Sequence, residues 1–115
     1  MTLEELNFLK FNRKYLRSKV TRKDTAVRDE INNFDIDRCS NEISDLEDLR
    51  CKLTQSNTEL AKGIWAHVQK EDELDAEMRA CDEYDEKLVQ LLLLLERRIK
   101  MSQPTLNIIN ELFFR

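Results

Sequence analysis

The stretch "CSNEISDLEDLRCKLTQSNTELAKGI", residues 39–64, decides the fold. Cys39, Leu46, Leu53 and Leu60 recur every seven residues, and the same spacing continues through His67, Leu74, Cys81, Leu88 and Leu95. Six of these nine positions are Leu, the preference of a d position where helices interlock. The companion a series runs Ile43, Arg50, Asn57, Ile64, Glu71, Met78, Asp85, Leu92 and Ile99, and four of its nine members are polar. Polar a residues weaken a homomeric seam and each requires a complementary partner, which favours an intramolecular hairpin or a hetero-oligomer. Leu49, Trp65, Val68, Tyr84, Val89 and Leu91 lie off the seam and widen the apolar stripe, as a multi-helix bundle requires. The helix interface is therefore expected at Leu46, Leu53, Leu60, Ile64, Leu74, Met78, Leu88, Leu92, Leu95 and Ile99.

Composition agrees with that period. One Gly, one Pro and 37% charged residues in 115 leave too few turn formers for a β architecture. The expected class is all-α, with long antiparallel helices forming a coiled-coil-like hairpin or a three-helix bundle over residues 1–101. A first helix over about 3–33 starts after Thr2, with Glu4 and Glu5 in its first turn, and carries the stripe Leu6, Leu9, Leu16, Val20, Val27, Ile31 and Phe34. "NNFDIDRCSN", residues 32–41, interrupts the stripe with turn-forming polar residues, and Ser40 is the expected N-cap of the next helix.

Helical arms follow over about 40–72 and 74–101. A single helix from 40 to 100 would be about 90 Å long, so a break is expected. "KEDELDAE" at 70–77 is the preferred place, and "QSNTE" at 55–59, where Ser56 and Glu59 have capping-box spacing, is the alternative. "SQP" at 102–104 stops the last arm, and "TLNIINELFFR" forms a short apolar helix or tail within 102–115. "LVQLLLLLERRIK" is no membrane span, because its unbroken apolar run covers only Leu91–Leu95.

Reactive chemistry is not indicated. Cys39, Cys51 and Cys81 form no CxxC pair, and His67 is the one imidazole, so neither a metal site nor any other cofactor is expected. The odd cysteine count without a secretory signal points to free thiols in a reducing, intracellular setting, most simply the cytoplasm. Glu71, Asp72, Glu73, Asp75 and Glu77 are close together, yet no nucleophile or oxyanion-binding loop accompanies them, and they read as a solvated face. His67, on the seam, reads as a tolerated core or half-exposed position. The chain is expected to be no enzyme and to take no small-molecule substrate.

Charge is segregated. "KFNRKYLRSKVTRK", residues 10–23, carries seven cations and no acid, in a chain of formal net charge −4. Residues 24–86 hold 19 acids against 7 bases, a net −12. Lys10, Arg13, Lys14, Arg17, Lys19, Arg22 and Lys23 have three readings: a solvated face, an anionic surface of lipid or nucleic acid, or pairing with the acidic body of another copy. Phe11 and Tyr15 interleave with them, placed to enter a headgroup layer or stack on bases.

Three stretches carry a family resemblance: "YLRSKVTRKDTAVRDEI" with its Val20-Thr21-Arg22, "ISDLEDLRCKL", and "HVQKEDELDAEMRACDEYDEKLVQLLLLLERRI" with Val68-Gln69 and with Tyr84 ahead of Leu88–Leu95. Together they resemble the N-terminal helical region of Gag polyproteins of Bel/Pao-type LTR retrotransposons, over about residues 13–99. That resemblance implies a structural module that associates with itself or another helical protein and offers its basic helix to RNA or anionic membrane. The alternative is an adaptor subunit of a hetero-oligomer.

Overall fold

The first helix, α1, spans Leu3–Glu30 and starts on a capping box at Thr2. The Thr2 hydroxyl accepts from the Glu5 N–H at 3.1 Å, and Glu5 Oε2 accepts from the Thr2 N–H at 3.2 Å. Two amide donors at the helix start are thereby satisfied, and Glu4 and Glu5 lie at the positive end of the helix dipole. The computed structural model describes residues 2–67 and 71–101. The C-terminal helix or tail expected within 102–115, and Val68-Gln69, lie outside the described residues.

After α1 a single 3-10 turn, Ile31–Asn33, leads into extended Phe34, and α2 spans Ile36–His67. The connection is shorter than the polar composition of 32–41 suggests, and Ser40 is not the cap. Asp35 Oδ1 accepts from the Arg38 N–H at 2.7 Å and caps α2 instead, leaving Ser40 a full turn inside the helix. Phe34 and Cys39 bracket that cap, and both are buried in one cluster, a hydrophobic staple that fixes how the chain enters α2. The Arg38 guanidinium closes the turn from outside, 4.5 Å from the Phe34 ring centre.

The third helix, α3, spans Glu71–Met101. The expected break falls at the front edge of 70–77: α2 ends at His67 and α3 opens at Glu71, so Glu71–Glu77 forms its first turns, whereas Ser56 and Asn57, at the alternative site, are interior to α2. The acids at 71–73 suit a helix start, where the dipole favours negative charge.

Contacts along the helices give the topology. Leu6 clusters with Leu60 and Ile64 while Lys23 meets Glu42, so α1 and α2 are antiparallel. Arg50 meets Asp85 and Arg98 donates to the Asn32 carbonyl, so α3 runs back along α2. Arg17 meets Glu77 and Arg28 meets Gln90, making α1 and α3 parallel. The fold is an all-α, up-down-up three-helix bundle about 60 × 28 × 19 Å, in which α2 and α3 share the most extensive pairing.

The seven-residue series supplies the core. Cys39, Leu46, Leu53, Leu60, Cys81, Leu88 and Leu95 are all buried, and from α1 so are Leu6, Leu16, Val20, Val27 and, past its end, Phe34. Leu49 and Leu91, off the seam, are buried too, because a third helix must be covered. Each such side chain contributes roughly 1.5–3 kcal/mol of transfer free energy. Four interface positions depart from a fully buried seam. Leu74, Leu92 and Ile99 are half-buried, the last two packed against the core, and Met78 is 49% exposed, because Glu77, not Met78, turns toward α1 at that level. His67 is exposed.

Candidate anion-binding face on the first helix

The stripe Leu6–Leu16–Val20–Val27 commits one side of α1 to the core, so the residues opposite it must face outward. Phe8, Phe11, Tyr15, Ser18 and Arg22 follow at spacings of three and four and are all exposed. They form one outward stripe about 21 Å long at 1.5 Å per residue. Phe8 and Phe11 are 66% and 69% exposed, unusual for phenylalanine, and Tyr15 is 50% exposed. Lys10 and Lys14 lie along one flank of this stripe and Lys19 along the other.

The seven cations of residues 10–23 divide into two sets. Arg13 and Arg17 turn inward and converge on Glu77 of α3, Arg17 Nη2 at 2.7 Å from Oε1 and Arg13 bonded to Oε2. The Glu77 side chain is only 11% exposed, so this triad is partly withdrawn from solvent and carries a surplus of one positive charge. Lys23 reaches α2, 2.9 Å from Glu42 and 3.8 Å from Asp45. Lys10, Lys14, Lys19 and Arg22 make no ion pair with the described residues, and Lys19 sits 4.9 Å from the Tyr15 ring centre. Part of the acidic body thus neutralises part of the basic block within one chain, and four cations remain outward.

Between α1 and α3 these residues border an open groove of about 750 Å³, lined by Lys10, Lys14, Arg17, Arg22 and the aromatic residues Phe11 and Tyr84. Ser18 and Thr21 add hydroxyls, although Thr21 Oγ1 already donates to the Arg17 carbonyl at 3.2 Å. No carboxylate lines the groove. Tyr84 is flanked by Arg17 at 5.0 Å and Lys87 at 5.1 Å from its ring centre. Such a surface attracts phosphate or carboxylate groups by charge and adds apolar contact beside them.

Glu77 is the residue that sequence reasoning misplaced. It was expected in a solvated acidic face, but it falls four before Cys81 and eleven before Leu88, on the buried stripe of α3. That spacing was the available signal. Beside the triad, burial pushes the Cys81 thiol up, with Glu77 adding and Arg17 and Arg13 opposing. Arg17 Nη2 lies 3.7 Å from its Sγ, which in turn donates toward Glu77 at 3.9 Å. A thiol held protonated and buried is a packing group and a poor nucleophile.

The polar a positions are accounted for largely within the chain. Arg50 and Asp85 meet as a fork across α2 and α3, at 2.6 and 3.0 Å, and the bond raises the Arg50 pKa further. Glu71 is exposed, and Asn57 is half-buried. Among the described residues, no group of three or more His, Cys, Asp or Glu is placed to hold a metal ion, and no helix is long and apolar enough to cross a membrane.

Fold and face together define a three-helix bundle with one cationic, aromatic helix face that no other described residue covers. No protein-family model, curated protein or solved structure matches the chain.

Proposed function

We propose that this chain is a non-enzymatic helical module that docks on anionic partners, RNA or lipid headgroups, through the outward face of α1. The carrying observation is the split of the basic block. Arg13, Arg17 and Lys23 are engaged by Glu77, Glu42 and Asp45, whereas Lys10, Lys14, Lys19 and Arg22 make no ion pair among the described residues and stand beside Phe8, Phe11 and Tyr15. A purely solvated face has no need of three exposed aromatic side chains, and they favour a binding role. The resemblance to a Gag N-terminal region agrees with this reading and adds self-association within the cell.

The test is binding to a labelled single-stranded RNA and to anionic vesicles over a salt series. Affinity should fall steeply with salt, and Lys14→Glu/Arg22→Glu should weaken binding by at least about tenfold. A folded protein that binds neither probe at low salt sinks the proposal.

A second reading, docking of another helix, rests on a different surface. A groove of about 970 Å³ between α2 and α3 is lined by Leu53, Ala61 and exposed Met78, with Arg50, Asp82 and Asp85 on its rim. Sedimentation across a concentration range tests it, since self-association through this groove should be lost in Met78→Glu.

A further inference from the structure

We infer that the partner of the α1 face is an anionic lipid bilayer, on whose surface α1 lies flat with Phe8, Phe11 and Tyr15 entering the headgroup layer. The inference rests on the anion-docking reading above and narrows it to one partner.

Three observations favour a bilayer over a nucleic acid. The first is shape. The aromatic side chains stand on the outward crest of an unbroken helix, opposite the buried stripe that packs on α2 and α3. A crest meets a flat, yielding surface along its whole length, whereas bases splayed from a strand are held where rings form a platform with open faces. The second is the state of those faces. Lys19 lies 4.9 Å from the Tyr15 ring centre, and Arg17 and Lys87 lie 5.0 and 5.1 Å from that of Tyr84, so cations already stand where bases would stack on the tyrosines. The third is apolar exposure. Leu3, Phe8 and Phe11 are 64%, 66% and 69% exposed on one helix, and their burial favours an acyl boundary over a polyphosphate.

Charge completes the fit. Lys10 and Lys14 flank the crest on one side and Lys19 on the other, while Arg22 continues it toward the turn end. Their stems reach along the crest and place the charged heads at the level of lipid phosphates while the rings sit deeper. Arg13 and Arg17, clamped on Glu77, hold α1 against α3 and keep the crest turned outward. Attachment through such a crest is peripheral, with the helix lying in the interface plane.

The experiment places a tryptophan reporter on the crest. In a Trp65→Phe background, which removes a 52% exposed side chain, Phe11→Trp is mixed with phosphatidylcholine vesicles containing phosphatidylserine. The expected result is a blue-shifted emission, quenched by lipids brominated on the acyl chain, with no response to pure phosphatidylcholine. Phe8→Ser/Phe11→Ser should lower vesicle affinity by about tenfold or more while leaving the circular dichroism spectrum unchanged. Poly(U) binding without vesicle binding or acyl-chain quenching overturns the bilayer assignment and leaves the anion-docking proposal standing. Vesicle binding that survives Phe8→Ser/Phe11→Ser also overturns it, because the rings would then contribute nothing. Failure to bind either probe overturns both.

Discussion

The two halves of the bundle are held by different forces. Toward the α1–α2 turn, all three helices contribute to one apolar cluster that includes Val20, Val27, Phe34, Leu46, Leu88, Leu91 and Leu95. Toward the far end, the cluster among the described residues shrinks to Leu6, Leu60 and Ile64, from α1 and α2. There α3 offers a half-buried Leu74 and an exposed Met78, and its firm attachment is Glu77 between Arg13 and Arg17. Both arginine Nε atoms of this triad, and Ser56 Oγ on α2, are buried without a hydrogen-bond partner among the described residues. Apolar burial loses little when a neighbour shifts, but a withdrawn ion pair stabilises only while its geometry holds. The far half should therefore open locally before the turn half. It is also the half that carries Phe8 and Phe11 of the α1 crest.

The largest effect should come from the turn half. Leu88→Ala removes a fully buried side chain and should cost about 3 kcal/mol or more, read as a lower urea midpoint with unchanged m. Leu60→Ala removes an equally buried side chain from the small cluster, where fewer neighbours hold the cavity open, and should cost about 2 kcal/mol. Equal or inverted losses would erase the distinction between the halves.

Glu77→Gln tests the ionic half directly. It leaves two partly buried guanidinium groups without their counter-charge, at an expected cost of about 2 kcal/mol after allowing for the residual exposure of all three side chains. Hydrogen exchange should locate the effect: amides of residues 74–84 should exchange faster, those of 88–99 little changed. Uniform acceleration along α3 would mean that the bundle opens as one unit.

Much of this contrast was legible in the sequence, for reasons that differ by half. The turn half obeys the seven-residue period, so Leu46, Leu53, Leu88 and Leu95 could be assigned to the interface from spacing alone. The cap of α2 could not, because Asp35, Asp37 and Ser40 are all competent caps, and the burial of Phe34 and Cys39 selects among them. In the far half the period places Met78 inside, but a positions of α3 such as Asp85 serve α2, whereas the side facing α1 is shifted round the helix to Glu77, Tyr84 and the d residue Cys81. A heptad read against one partner cannot reveal the register toward a second. The basic block was visible as charge, but its division into engaged and outward cations depends on which carboxylates the fold brings within 4 Å.

A smaller effect sharpens the boundary between the halves. The Arg50–Asp85 fork spans α2 and α3, both side chains being 43% exposed, so solvent screens much of its strength. A double-mutant cycle with Arg50→Leu and Asp85→Leu should give a coupling of about 0.5–1 kcal/mol that declines with salt. A coupling above about 2 kcal/mol would make this fork, rather than leucine packing, the joint of the α2–α3 hairpin.

The smallest effect separates the halves through their thiols. Burial raises the Cys39 thiol pKa, with Asp35 and Glu42 adding and Arg98 opposing, and burial likewise raises that of Cys81. The folded state thus keeps these protons to higher pH than the unfolded chain. Their contribution is complete below the unfolded thiol pKa of about 8.5 and is lost as pH rises toward the folded values, by at most about 1.4 kcal/mol per pH unit for each thiol. Melting curves from pH 8 to 10 should therefore fall less steeply for Cys39→Ala than for the parent chain. The rates of thiol labelling at neutral pH rank the openings themselves. Cys51 is exposed and should react at once, Cys81 with local opening of the ionic half, and Cys39 only with global unfolding. Glu77→Gln should speed Cys81 more than Cys39, because it loosens the triad without touching the cluster around Cys39. Equal acceleration of both thiols would place Cys81 and Cys39 in one cooperative unit, and the ionic half would then have no independence to lend the face of α1.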